Sequence, residues 1–204
     1  MRVQYQAGLP FPVMLRRILY SLTLAATVIS SLSAQAVQVN EYELKTAYLY
    51  NFALFVTWPV TLPEDNDNTI GICTIGKDQF GNSIDQLHNR KLREKRLVVR
   101  RSVDLKQAAS CHMLYIAESE RQNIPAIMGS LRGASVLTII DAPVRPAMNH
   151  GIDPITIASG QVSPSIITLF FEDNKLMFEV NSAAAKQAGL TISSRLLYLA
   201  RQVH

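Results

Sequence analysis

Cysteine is scarce in this chain: Cys73 and Cys111 are the only two. They stand too far apart for a zinc pattern, and no closely spaced histidine pair completes one. The C-x-x-C motif of a thiol redox enzyme is missing. The four histidines, His88, His112, His150 and His204, are scattered. H-E-x-x-H, G-x-S-x-G and the Walker lysine loop are all absent. No catalytic residue, metal or cofactor is therefore assigned. Internal repeats and low-complexity linkers are lacking too, which excludes a repeat array. Excess charge is also small. Of the formal net charge of +4, Arg2, Arg16 and Arg17 carry three, and the rest of the chain keeps +1. A nearly neutral body gives no general electrostatic case for nucleic acid.

The longest apolar run, Ile18 to Leu32, falls short of the roughly 20 residues of a membrane span. Arg16 and Arg17 precede it and Ala34-Gln35-Ala36 follows it. A basic start, a short apolar middle and small residues before a cut predict a secretory signal peptide removed near Ala36. An uncleaved anchor is the alternative. Met14 offers a second start that gives a more usual signal length. The expected division is a signal over residues 1–36 and one domain over 37–204, about 168 residues, enough for its own core. In an oxidising compartment Cys73 and Cys111 are expected to pair.

Short apolar strands alternate with helices. Strands are predicted at 69–76, 96–102, 112–117 and 135–141, and helices at 79–88 and from Ser119, where Pro125 kinks or delays the turn. A short helical turn is expected over 103–110. This rhythm predicts an α/β fold with a mostly parallel central sheet flanked by helices. Residues 142–164 hold four prolines and two glycines and read as an irregular excursion. Beyond them, two apolar runs joined by Asp173-Asn174-Lys175 predict an antiparallel hairpin. Two terminal helices follow, one capped by Asn181 and stopped at Gly189, the other begun by Ser193 or Ser194.

The segment "YELKTAYLYNFALFVTWP", Tyr42 to Pro59, is more apolar than a surface helix requires. Asn40 and Glu43 form a capping-box pattern, and the helix is expected to reach Val56 or Thr57 before Trp58-Pro59 ends it. Leu44, Tyr48, Phe52 and Phe55 share a stripe. Lys45 and Asn51 inside the segment argue against a membrane span. Two readings stand: a helix wholly in the core, or one that gives Tyr48, Tyr50, Phe52 and Trp58 to a partner or dimer interface. The basic run from Arg90 to Arg101 reads as a solvated turn and strand edge, with an anionic contact site as the alternative. Glu172 and Glu179 flank the hairpin turn and read as its wet face. The turn "GKDQFG" is the best ligand candidate by local physics. Gly76, Lys77, Phe80 and Gly81 lie between a strand end and an expected helix start, where backbone N–H groups attract anions. It lacks the spacing of a dinucleotide fingerprint, and a plain strand-to-helix turn is the simpler reading.

Four blocks, "ELKTAYLYNFALFVTWP", "ICTIGKDQFG", "CHMLYIA" and "FEVNSAAAKQAGLTISSRLLYLA", resemble in order those of the YfiR/HmsC family, from about Glu41 to Val203. The resemblance implies a periplasmic regulator and no enzyme. Such proteins repress an inner-membrane diguanylate cyclase through its periplasmic domain, lowering cyclic di-GMP and biofilm formation. An OmpA-like outer-membrane lipoprotein sequesters the repressor. It also implies a homodimer and disulfides tied to stability and redox state. Cys73 and Cys111 match family cysteines, whereas the second pair that some relatives carry in the 142–164 region has no counterpart here. A small-ligand sensor using the Gly76–Gly81 turn is the alternative function.

Overall fold

A computed structural model of the protein describes residues 41–59, 68–142 and 165–204. The expected signal segment, the Asn40 cap and most of the 142–164 excursion lie outside them.

The expected α/β architecture is observed. An eight-stranded sheet runs in the order β10-β8-β7-β6-β5-β2-β4-β3. Its centre is β4 (Lys95–Arg100), β2 (Thr69–Ile75), β5 (Met113–Ile116), β6 (Leu137–Asp141) and β7 (Ile167–Glu172), each pair parallel. The chain leaves β2 for β4 on one side, then returns across β2 to build β5, β6 and β7 on the other. The winding therefore reverses between β2 and β5, the position at which open α/β sheets form a crevice. β3 (Lys91–Leu92) pairs antiparallel with β4 and makes one open edge. β8 (Lys175–Val180) closes the antiparallel hairpin on β7, and β10 (Gln202–Val203) adds to β8 in parallel at the other edge.

The side chains alternate between two covered faces, as the pleat requires. On one face, Ile72, Met113, Tyr115, Leu137, Ile139, Leu169 and Phe178 pack with Leu49, Phe52 and Ala53 of α1 (Glu41–Phe55). Ile84 and Leu87 of a single 3-10 turn join them, with Ala185 of α4 (Ser182–Gln187) and Leu196 of α5 (Ser194–Leu199). On the other face, Cys73, Ile75, Leu114, Ile116 and Ile140 meet Ala108 of α2 (Leu105–Ala108) and Ile124 and Ile127 of α3 (Ile124–Ser130). Cys73 and Cys111 form a disulfide there, with Cα atoms 6.0 Å apart, and both are buried.

Local chemistry explains the boundaries. Asp104 and Gln107 make a reciprocal capping box on α2. Asn181 accepts from the Ala184 N–H, and Gly189 beyond the same helix takes φ +71°. Ser193, one of the two starts considered, caps α5. In the hairpin, Asp173 and Asn174 both have positive φ, the pattern of a two-residue type I′ turn. Lys175 therefore belongs to β8, opposite Glu172, and not to the turn.

Several boundaries differ from expectation. α1 stops at Phe55 because Val56 and Thr57, both β-branched, form β1 and pair with Ile192 and Thr191 of β9. The buried face of α1 is Lys45, Thr46, Leu49, Phe52 and Ala53. Of the expected stripe only Phe52 is in it. Small Thr46 and Ala53 let the helix approach the sheet, while Leu44, Tyr48 and Phe55 sit at its flanks. Ser119 caps no α-helix: a 3-10 stretch covers Glu118–Asn123, and α3 begins only at Ile124, with Pro125 in its first turn. The helix expected over 79–88 shrinks to the 3-10 turn Ile84–Leu87. Among the described residues no helix is long and apolar enough to cross a membrane.

Candidate functional site

The parallel strands β2 and β5 end side by side, with Ile75 opposite Ile116. Their continuations bound a cavity of about 250 Å³ lined by Lys77, Gln79, Ala117, Glu118 and Ser119. The cavity lies where the winding reverses, so its place follows from strand order. Gly76 opens the first wall at φ +95°. A Cβ there would stand 2.6 Å from Ser119 Oγ and 2.7 Å from Glu120 Cγ, so only glycine fits this approach.

The structure distributes the four residues of the expected ligand turn. Lys77 faces the cavity. Phe80 is buried, edge-on to Tyr42 at 5.3 Å and to Tyr115 at 4.8 Å. Gly76 makes the close approach just described, and Gly81 turns the chain at φ +54° in open space. The expected row of free amides is not formed. The Lys77 N–H donates to Ser119 Oγ at 2.8 Å and the Phe80 N–H to Asp78 Oδ1 at 3.0 Å. An Asx turn therefore takes the place of a helix start. Arg101 holds this shape from a distant strand end: its guanidinium donates to Asp78 at 2.5 Å, to Asp85 at 3.0 Å and to the Gly81 carbonyl at 2.7 Å. That hydrogen bond keeps the Asp78 carboxyl below its ordinary range.

Beneath the crevice is a polar cluster that sequence reasoning missed. Lys45 is 2 % exposed. Its ammonium lies 2.7 Å from Asp141 Oδ2 and 2.5 Å from Glu41. The Tyr115 hydroxyl donates to the same Asp141 oxygen. Burial, and then the Asp141 charge, push the Tyr115 hydroxyl far above its usual range. Tyr42 donates to Gln79 on the cavity wall. Its hydroxyl is pushed up to about 12, by burial first and then by Asp141, Glu41 and Glu118. Asp141 also borders a small recess with Glu118, Arg121 and Ile124. The first turn of α1 is thus wired to the crevice through Tyr42 and Lys45. Glu41 four residues before Lys45 was the available signal, but that spacing reads equally as a solvent-exposed pair.

The four aromatics offered for an interface are engaged within the chain. Phe52, at 1 % exposure, belongs to the core and presents no surface. The Tyr48 hydroxyl donates to the Leu176 carbonyl at 2.8 Å, Tyr50 lies under the Arg90 guanidinium at 4.0 Å, and Trp58 Nε1 donates to the His112 carbonyl at 2.8 Å. Tyr48, Tyr50 and Trp58 are half-buried. The basic run forms the β3–β4 hairpin at the open edge, as expected, with Arg93 bonded to the Leu54 carbonyl and Arg100 to Ser110. Glu172 and Glu179 do not converge: Glu172 pairs with Arg201 at 3.0 Å and Glu179 lies 3.6 Å from His204.

Comparison with known proteins gives three findings. No curated protein matches the chain. Among solved structures, a conserved domain protein from Vibrio cholerae O1 biovar El Tor aligns with TM-score 0.44 and 13% identity, covering 80% of this chain and 60% of that one. An ABC domain in complex with L-Trp from Streptococcus pneumonia aligns with TM-score 0.41 and 10% identity, covering 67% of this chain and 55% of that one. The chain thus spans less than two thirds of either. The YfiR/HmsC-like family profile matches residues 42–201, nearly the whole of the fold described above, and the chain belongs to that family.

Proposed function

We propose that the chain is a periplasmic regulatory binding protein. It represses an inner-membrane diguanylate cyclase by occupying the cyclase's periplasmic domain and biasing it toward an inactive arrangement. Family membership carries this reading. The buried Cys73–Cys111 bridge supports an oxidising compartment, reached through the signal peptide expected over residues 1–36, with residues 37–204 as one working domain. On this reading the protein is a homodimer, acts by contact with no turnover, and is withdrawn from the cyclase by an OmpA-like lipoprotein of the outer membrane. Deleting the gene in a strain that expresses the cyclase raises cyclic di-GMP and biofilm mass, and re-expression restores both. Unchanged cyclic di-GMP on deletion counts against the reading.

The crevice between β2 and β5 favours a second reading, a small-ligand sensor. Lys77, Glu118 and Ser119 offer a cation, an anion and a hydroxyl on one cavity. Thermal denaturation with mononucleotides and amino acids at millimolar concentration tests it. A ligand present at about 100 times its Kd stabilises by about 2.7 kcal/mol, several degrees for a domain of this size; no upward shift with any of them removes this reading.

A further inference from the structure

Among the described residues, the apolar side chains most exposed to solvent are not on α1. Tyr198 is 89% exposed, Leu199 62% and Val203 44%. They follow one another over the end of α5 and the edge strand β10, while Leu196, with half-buried Leu197 beside it, roots α5 in the core. A tyrosine and a leucine held in water side by side on an ordered helix need an explanation. The charges carried by the C-terminal segment itself are of one sign. Residues 181–204 include Lys186, Arg195 and Arg201 and no aspartate or glutamate. The hairpin acids that reach this end of the chain are already engaged, Glu172 by Arg201 and Glu179 beside His204. Arg195, one helical turn before Tyr198 and exposed, makes no ion pair among the described residues.

We infer that this corner, with Tyr198 as anchor, Leu199 and Val203 beside it and Arg195 at its rim, is the docking surface for a partner protein that offers an apolar recess edged by carboxylates. The inference rests on the proposal that the chain acts by binding, and adds where it binds and what chemistry it meets. Tyrosine and arginine are the side chains that most often dominate an interface when desolvated together. A second copy is the wrong occupant. An isologous contact sets the patch against itself, so the unpaired Arg195 meets no unengaged carboxylate on the other copy, where Glu172 and Glu179 are already held.

The test is made in the cell envelope with the full chain. Benzoylphenylalanine replaces Tyr198 and, as a control on the opposite face of the sheet, Leu105, which is 42% exposed. Irradiation is expected to give an adduct from position 198 with a different envelope protein, attached within a segment rich in Asp and Glu, and none from position 105. In the deletion strain, Tyr198→Glu and Arg195→Glu are expected to leave cyclic di-GMP near the deletion level, while Tyr198→Phe restores the wild-type level. All three keep the wild-type melting temperature, since both sites are exposed. Against the identified partner, Tyr198→Ala binds about 30-fold more weakly. Adducts only between copies of the chain overturn the inference in favour of a self-interface. Co-sedimentation with phosphatidylglycerol vesicles that Arg195→Glu abolishes, without a protein adduct, overturns it in favour of a lipid surface. Full repression by Tyr198→Glu overturns it outright. Failure of the wild-type chain itself to lower cyclic di-GMP sinks the cyclase reading instead, and leaves the adduct to decide the surface.

Discussion

Replacing Lys45 by methionine is expected to cost about 3–5 kcal/mol, the range seen when one partner of a buried ion pair is removed. Methionine matches the stem of the lysine, so packing changes little, and the loss is electrostatic. Asp141 is left with the Tyr115 hydroxyl and no cation, at 7% exposure. Little water reaches the Asp141 carboxylate to replace the missing charge, since among the described residues only the small recess beside Glu118 and Arg121 touches it. The diagnostic comparison is the double variant Lys45→Met/Asp141→Leu. Two apolar groups of similar size remove the charges together, and such replacements are often neutral or stabilising. The Tyr115 hydroxyl, which loses its acceptor, takes back about 1–3 kcal/mol of that gain, so the double variant is expected to lie between the single variant and wild type. Equilibrium urea unfolding, followed by the fluorescence of Trp58, the sole tryptophan, measures both. A single variant within 1 kcal/mol of wild type, or a double variant no better than the single, refutes the electrostatic account. Glu41 adds little, since it is half exposed and screened.

The second large effect is loss of the disulfide. Its sequence separation of 38 residues corresponds to about 3–4 kcal/mol of denatured-chain entropy. With a urea dependence of about 2 kcal/mol per molar, the Cys73→Ala/Cys111→Ala variant should unfold about 1.5–2 M urea earlier than the oxidised protein. Both sulfurs are buried, so dithiothreitol alone should act slowly on the native protein and quickly once urea opens it. A midpoint shift below about 0.5 M means that the bridge constrains the denatured chain far less than its loop length implies.

The parts of the fold legible in the sequence are those set by neighbouring residues. Alternating apolar runs gave the parallel strands, the Asp173-Asn174-Lys175 junction gave the hairpin, and Asn181 and the Ser193-Ser194 pair marked helix starts, because the side chains of Asn181 and Ser193 bond amides two or three residues away. What was missed depends on residues far along the chain. The 79–88 helix fails because Arg101 gathers Asp78, Asp85 and the Gly81 carbonyl into a loop. Lys45 is buried because Asp141, 96 residues later, waits at the end of β6. The sequence located one wall of the crevice, at Gly76 and Lys77. The other, Glu118 and Ser119, read only as the start of a helix, because neighbouring strand ends are known only once strand order is known. The aromatics of α1 drew attention as interface candidates for their composition. Strand pairing and packing leave Tyr48, Tyr50 and Trp58 half-buried, and put the two most exposed apolar side chains of the described residues, Tyr198 and Leu199, on α5.

The Cys73–Cys111 bridge joins β2 to the residue two positions before β5, the same two strands whose far ends frame the crevice. A covalent tie and a hydrogen-bonded ladder together fix the spacing of those strands, and so the separation at which the two walls of the crevice begin. Any selectivity for size is then written in the backbone. What remains adjustable is the reach of Lys77, Gln79 and Glu118, the long side chains at its mouth.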